Sequence, residues 1–132
     1  MRKELDDKLC KKYPKLFAQR RWPMTKTLMC WGFDCGDGWY DLINRLCARL
    51  QKHIDESGCG QVEVVQVKEK YGAARFYVNA GDEKTWAMIH RAERRSGAVC
   101  EECGQPGELA ISQGWYKTLC RKHRRAMKYW KA

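Results

Sequence analysis

The amino-acid sequence predicts an α+β fold in two parts, a core of helices and a β-hairpin over residues 1–97 and a small C-terminal unit over residues 98–132. Three observations carry this. A long apolar stripe of helical period runs from Trp39 to Ile54, the period changes to two between Gln61 and Val78, and two short Cys/His pairs, Cys100/Cys103 and Cys120/His123, follow. At 132 residues, with 44% hydrophobic content and six Trp, the chain has apolar surface for one core and an appendage.

From the start, Leu5, Leu9 and Tyr13 recur every four residues among charges, which predicts a first helix with one apolar stripe. Pro14 interrupts it, and a fresh turn begins at Lys15-Leu16-Phe17. Arg20-Arg21-Trp22-Pro23 reads as a basic, aromatic loop whose neighbouring Arg and Trp suit surface packing more than base stacking. Cys30 to Trp39 is rich in glycine and aromatics, a tight loop in which Asp37 or Gly38 is placed to N-cap the next helix, with Asp41 in its first turn. Trp39, Leu42, Ile43, Leu46, Cys47, Leu50 and Ile54 form that helix's apolar face, and Ser57-Gly58 ends it.

Val62, Val64 and the Val65/Val67 pair, then Ala74, Phe76 and Val78 alternating with polar residues, predict a hairpin turning at Lys70-Tyr71-Gly72. One face is expected on the core helix. Lys68, Lys70, Tyr71, Arg75 and Tyr77 are candidate ligand-binding residues on the other face or at the turn, with Trp31 and Trp39 from the glycine-rich loop. Solvation of exposed strand positions is the commoner reason for such residues. Asp82 is expected to cap a further helix with Trp86, Met88, Ile89 and Ala92 inward and Arg91, Arg94 and Arg95 outward. Ser96-Gly97 ends it, Gly97 being the expected hinge between the two parts. His90 and Glu93 on this helix read as a surface pair, since no nucleophile accompanies them.

The pairs Cys100-Glu101-Glu102-Cys103 and Cys120-Arg121-Lys122-His123 have the spacing of a single zinc site. Gly104 after the first pair lets two sulfurs wrap one ion, and the second pair falls in the first turn of a helix expected from Leu119 to Trp130. Knuckle, polar hairpin, then a helix bearing the last two ligands resembles a treble-clef zinc finger. Four protein ligands predict one closed, structural Zn2+. Disulfides and a redox pair are the rival uses of eight cysteines. Met1 is followed by charged residues, which predicts a cytoplasmic protein with reduced thiols, and the strand-helix pattern of a redox fold is missing. Cys30, Cys35, Cys47 and His53 fit no familiar knuckle, and whether they form a second metal site is a question for the geometry. Cys10 and Cys59 carry no pattern.

The net charge of +10 is segregated: +6 over residues 1–26, −3 over 27–113 and +7 over 114–132. Basic ends suit a polyanionic partner. Arg121, Lys122, Arg124, Arg125 and Lys128 are the candidate phosphate and nucleic-acid contacts, on a basic helix whose other side holds Leu119, His123, Ala126, Met127 and Trp130. Such a helix also suits an acidic protein surface or an anionic membrane. No apolar run is long enough to span a bilayer.

The series Cys35-Gly36-Asp37-Gly38-Trp39, Val67 to Tyr77, Cys100 to Gly104 and Gly114 to Cys120 with His123 is similar to a group of small proteins encoded by tailed phages and prophages. The resemblance covers most of the chain from residue 30. It implies a phage accessory protein working in bacterial cytoplasm by binding. Two binding roles remain: from the basic ends and the zinc unit, a module for nucleic acid or another phosphate-bearing ligand, and from the resemblance, a counter-defence or host-takeover protein that binds a host protein or captures a nucleotide signal. An enzyme is not expected, because His53 and His90 stand in no catalytic motif.

Overall fold

The alternation of helical and strand periods is realised over residues 1–132 of the computed structural model. In chain order the elements are α1 (Lys3–Lys12), β1 (Phe33–Asp34), α2 (Tyr40–Ser57), β2 (Val64–Lys70), β3 (Ala73–Val78), α3 (Glu83–Ser96), β4 (Glu108–Ser112), β5 (Trp115–Leu119), α4 (Arg121–Ala126) and β6 (Trp130–Lys131). No helix is long and apolar enough to cross a membrane.

The stripe on α2 is the core as expected: Ile43, Leu46, Cys47, Leu50 and Ile54 are buried against Val64, Val67, Ala74 and Phe76 of the first sheet and Leu9, Leu16, Phe17 and Ile89 around it. Both Val64 and Val67 point inward because a β-bulge lies between Val64 and Gln66, and the extra residue shifts the alternation by one. The hairpin turns through Tyr71 and Gly72 with φ of 53° and 84°, the two positive values that a two-residue turn of matching twist requires. That sheet is mixed rather than a simple hairpin: β1 adds in parallel to β2, pairing Phe33 with Val67. On the free edge of β3, the N–H groups of Ala74 and Phe76 donate to Ser96 Oγ and Glu93 Oε2 of α3 (2.9 and 3.1 Å). The exposed ladder is thereby closed off by a helix.

Four expectations are corrected. Asp37 does not cap α2. A single turn over Asp37–Trp39 leads into it, and the Asp37 carboxylate accepts from the Arg2 N–H at 2.8 Å. Trp86 is 41% exposed, and Thr85, whose hydroxyl and N–H both bond Asp82, takes the buried place. The segment read as a loop from Arg20 opens inside a 3-10 turn over Ala18–Arg21, and the Arg20 guanidinium packs not on Trp22 but on the buried Asp6, donating to both its oxygens at 3.1 Å and to the Cys30 carbonyl. The helix expected over Leu119–Trp130 is six residues long, Arg121–Ala126. Tyr129 N–H bonds Arg124 O and Lys128 N–H bonds Arg125 O, a Schellman ending with Lys128 in the left-handed region at φ 57°. The chain then reverses, and β6 pairs with β4, giving the sheet order β5-β4-β6.

Candidate metal centre

Cys100 and Cys103 lie in a knuckle closed by Cys100 N–H to Gln105 O (2.7 Å) and Gly104 N–H to Cys100 O (2.9 Å), with Gly104 at φ 80°. Cys120 is the N-cap of α4, its sulfur accepting from the His123 N–H at 3.4 Å. A tetrahedral ion with arms of ~2.3 Å to sulfur separates its ligands by about 3.8 Å. Here Cys103 Sγ lies 3.8 Å from Cys120 Sγ, Cys100 Sγ 3.8 Å from His123 Nδ1, and Cys120 Sγ 3.2 Å from His123 Nδ1. All four ligand atoms fall within 4.8 Å of one another, so the set fits one metal ion. The His123 N–H and then its side chain hold the Cys120 thiol down to about 6, which favours the thiolate a metal needs.

The glycine-rich loop is the seat of this knuckle. Gly38 N–H donates to Glu101 O (2.7 Å), Gly36 N–H to Glu101 Oε2 (2.9 Å), and the Trp39 indole N–H to Val99 O (2.8 Å). Trp39, expected at a ligand surface, is therefore fully buried with its donor spent. Burying an aromatic of that size is worth roughly 4–6 kcal/mol. Glu101 is 3% exposed and meets Lys117 Nζ at 3.3 Å; burial, the largest influence, pushes its carboxyl above the ordinary value. On the other side Thr118 Oγ1 donates to Gly72 O at 2.6 Å. Gly97, the expected hinge, has φ −68° and lies between segments joined by these bonds. Sequence reasoning missed Glu101 and the two seat glycines; the Gly36-x-Gly38 spacing beside a Trp was their one signal.

Cys30, Cys35 and Cys47 do not assemble into a metal cluster. Burial pushes the Cys35 thiol up to about 12 and raises Cys47 as well, so both are neutral core residues. His53 instead meets Asp82 (2.8 Å), with Cys59 close by.

Of the candidate phosphate contacts, Arg121, Lys122, Arg125 and Lys128 are exposed, Arg124 is half-buried, and none forms an ion pair. Arg121, Arg124 and Arg125 line one groove of about 500 Å³ beside Cys120, and the reversal of the chain adds Lys131 to it. Lys122 and Lys128 lie outside that groove. On the first sheet Lys68 and Arg75 are direct neighbours across β2 and β3, while Arg75 and Tyr77 share a groove with Trp86 and His90. Tyr71 and Trp31 are 73% and 67% exposed, and Lys70 lies over the Tyr71 ring at 5.8 Å. No protein-family model, curated protein or solved structure matches the chain.

Proposed function

We propose that this chain is a zinc-stabilised binding protein for nucleic acid, with its phosphate contacts on the C-terminal unit. Three thiolates and one imidazole in a closed tetrahedral set suit Zn2+, and four protein ligands leave it a structural role. Knuckle, β4/β5 hairpin and α4 succeed one another as in a treble-clef-like unit. Zinc fixes the start of α4, and with it the aim of the arginines that follow.

The observation that carries the reading is the groove in which Arg121, Arg124, Arg125 and Lys131 converge around a single carboxylate, Glu108, with which none of them forms an ion pair. Unpaired cations are what a phosphate backbone neutralises. Round the edge strand β6, on the face of the sheet opposite Lys131, Tyr116 and the 69% exposed Trp130 both pair with Ile111, an aromatic surface for unstacked bases of a strand that passes over that edge. A single strand is therefore the preferred form. The setting, on the resemblance to phage proteins alone, is an infected bacterial cytoplasm, and the role is binding rather than catalysis.

Fluorescence anisotropy of the zinc-loaded protein with single-stranded DNA, RNA and duplex DNA tests this. Four phosphate contacts on a single strand predict a roughly 50-fold loss of affinity between 50 and 200 mM salt. The triple variant Arg121→Gln/Arg124→Gln/Arg125→Gln is expected to bind weakly at both concentrations. Absence of binding at low salt, or equal binding by the variant, rejects the reading.

A further inference from the structure

Away from the C-terminal groove, α2 and α3 enclose a cavity of about 230 Å³ whose rim carries Arg45 and Arg49 from one helix and Arg91 and Arg95 from the other. Each pair is spaced four residues apart, so like charges stack one turn above another on both helices and face each other across the cleft. None of the four is in an ion pair, and Asp41 is the one carboxylate in the lining. Four cations against one anion leave three positive charges concentrated in a small space. A fold whose local choices otherwise agree holds such repulsion where a ligand relieves it. The floor of the same cavity is apolar: Leu42, Leu46, Met88 and Ala92. Gly104 of the knuckle, with Gly38 and Val99, is also in the lining.

We propose that this cleft binds a free nucleoside diphosphate or triphosphate, the phosphate chain between the four arginines and the base edge against the apolar floor. At about 230 Å³ it encloses part of such a ligand and leaves the rest in its open mouth. Planar guanidinium forks match phosphate oxygens in pairs, and a cavity with an apolar floor and a few convergent charges is the usual form of a small-ligand site. A phosphate monoester, at about −2, leaves the cleft positive. A diphosphate chain balances it. The cavity shares no lining residue with the α4 groove, so this inference goes beyond the nucleic-acid reading and stands or falls apart from it.

Calorimetric titration of the zinc-loaded full chain with ADP, GDP, AMP and adenosine, repeated with a single-stranded deoxyoligonucleotide as competitor, decides it. ADP and GDP are expected to bind at least tenfold more tightly than AMP, and adenosine not to register. Arg91→Gln/Arg95→Gln should weaken ADP at least tenfold while its thermal midpoint stays level or rises, since repulsion is removed. The Arg121→Gln/Arg124→Gln/Arg125→Gln variant should bind ADP as the parent does. No heat with ADP or GDP, or unchanged affinity in the cleft variant, overturns the proposal. So does displacement of ADP by the oligonucleotide in parent and tail variant alike, which would make the cleft part of a nucleic-acid surface. Binding of ADP by a protein that fails the anisotropy test would uphold the cleft and dismiss only the tail.

Discussion

Gly38 shows how little room separates knuckle from seat. A Cβ there would stand 2.1 Å from Cys100 O, 2.6 Å from Gly104 N and 2.7 Å from Cys103 N, all backbone atoms that cannot rotate away. Gly38→Ala is expected to cost about 1–3 kcal/mol and to weaken metal affinity, read by thermal unfolding and competition with a chelator. Gly58→Ala, where nothing lies within 4 Å of the added carbon, should cost only the strain of φ 66°. Asp82 supports a second prediction. Its carboxyl is held down to about 2 from 3.8, first by the Thr85 N–H and next by His53. The folded state therefore gains stability that is complete above pH ~4 and drains away as pH falls toward 2. Urea unfolding at pH 5 and pH 3 should show the parent losing its advantage over Asp82→Asn; an equal drop in both sinks the assignment. The ligands Cys100, Cys103, Cys120 and His123 were legible because spacing within each pair is local chemistry. Gly36 and Gly38 were not, because a glycine announces freedom and says nothing of what will press against it.

Among the elements, α4 was misread for a physical reason. Leu119, His123, Ala126, Met127 and Trp130 keep helical period whether or not the helix continues, and no Gly or Pro marks its end at Lys128. Tertiary pairing of β6 with β4 wins over that pattern. Lys128 holds a left-handed conformation that favours glycine, so Lys128→Gly should raise stability by about 0.5–1 kcal/mol while removing a positive charge. A lower midpoint in that variant would mean that the lysine side chain itself supports the turn. By contrast the buried face of α2 was legible, though not its start, since a stripe as long as that from Trp39 to Ile54 leaves no other way to bury its apolar side chains. The two-residue strand β1 carries no period at all and is defined only by its parallel partner β2.

At the scale of the molecule, the knuckle that carries Cys100 and Cys103 is bonded well beyond its own unit. Glu101 N–H bonds Thr118 O, Glu101 O receives Gly38, and Thr118 Oγ1 reaches Gly72, so the knuckle joins the start of α2 to the tip of the β2/β3 turn. Removing zinc with a chelator, or Cys103→Ser, is expected to lower the unfolding midpoint of the whole chain in a single transition, with a change in emission from the buried Trp39. Two separated transitions would show that the parts fold independently, and a retained equivalent of zinc in Cys103→Ser would displace the ligand assignment. Sequence alone conveyed the two groups of elements and the Cys3His cluster, because each is encoded within a short stretch. The bonds between them span more than 40 positions and left no local trace. That separation has a consequence for biosynthesis. Gly38 leaves the ribosome 63 residues before Glu101, roughly 3–13 s earlier at ordinary rates of translation. During that interval the seat's N–H groups and the Trp39 indole lack the partners they bond in the folded chain, the Glu101 side chain and the Glu101 and Val99 carbonyls.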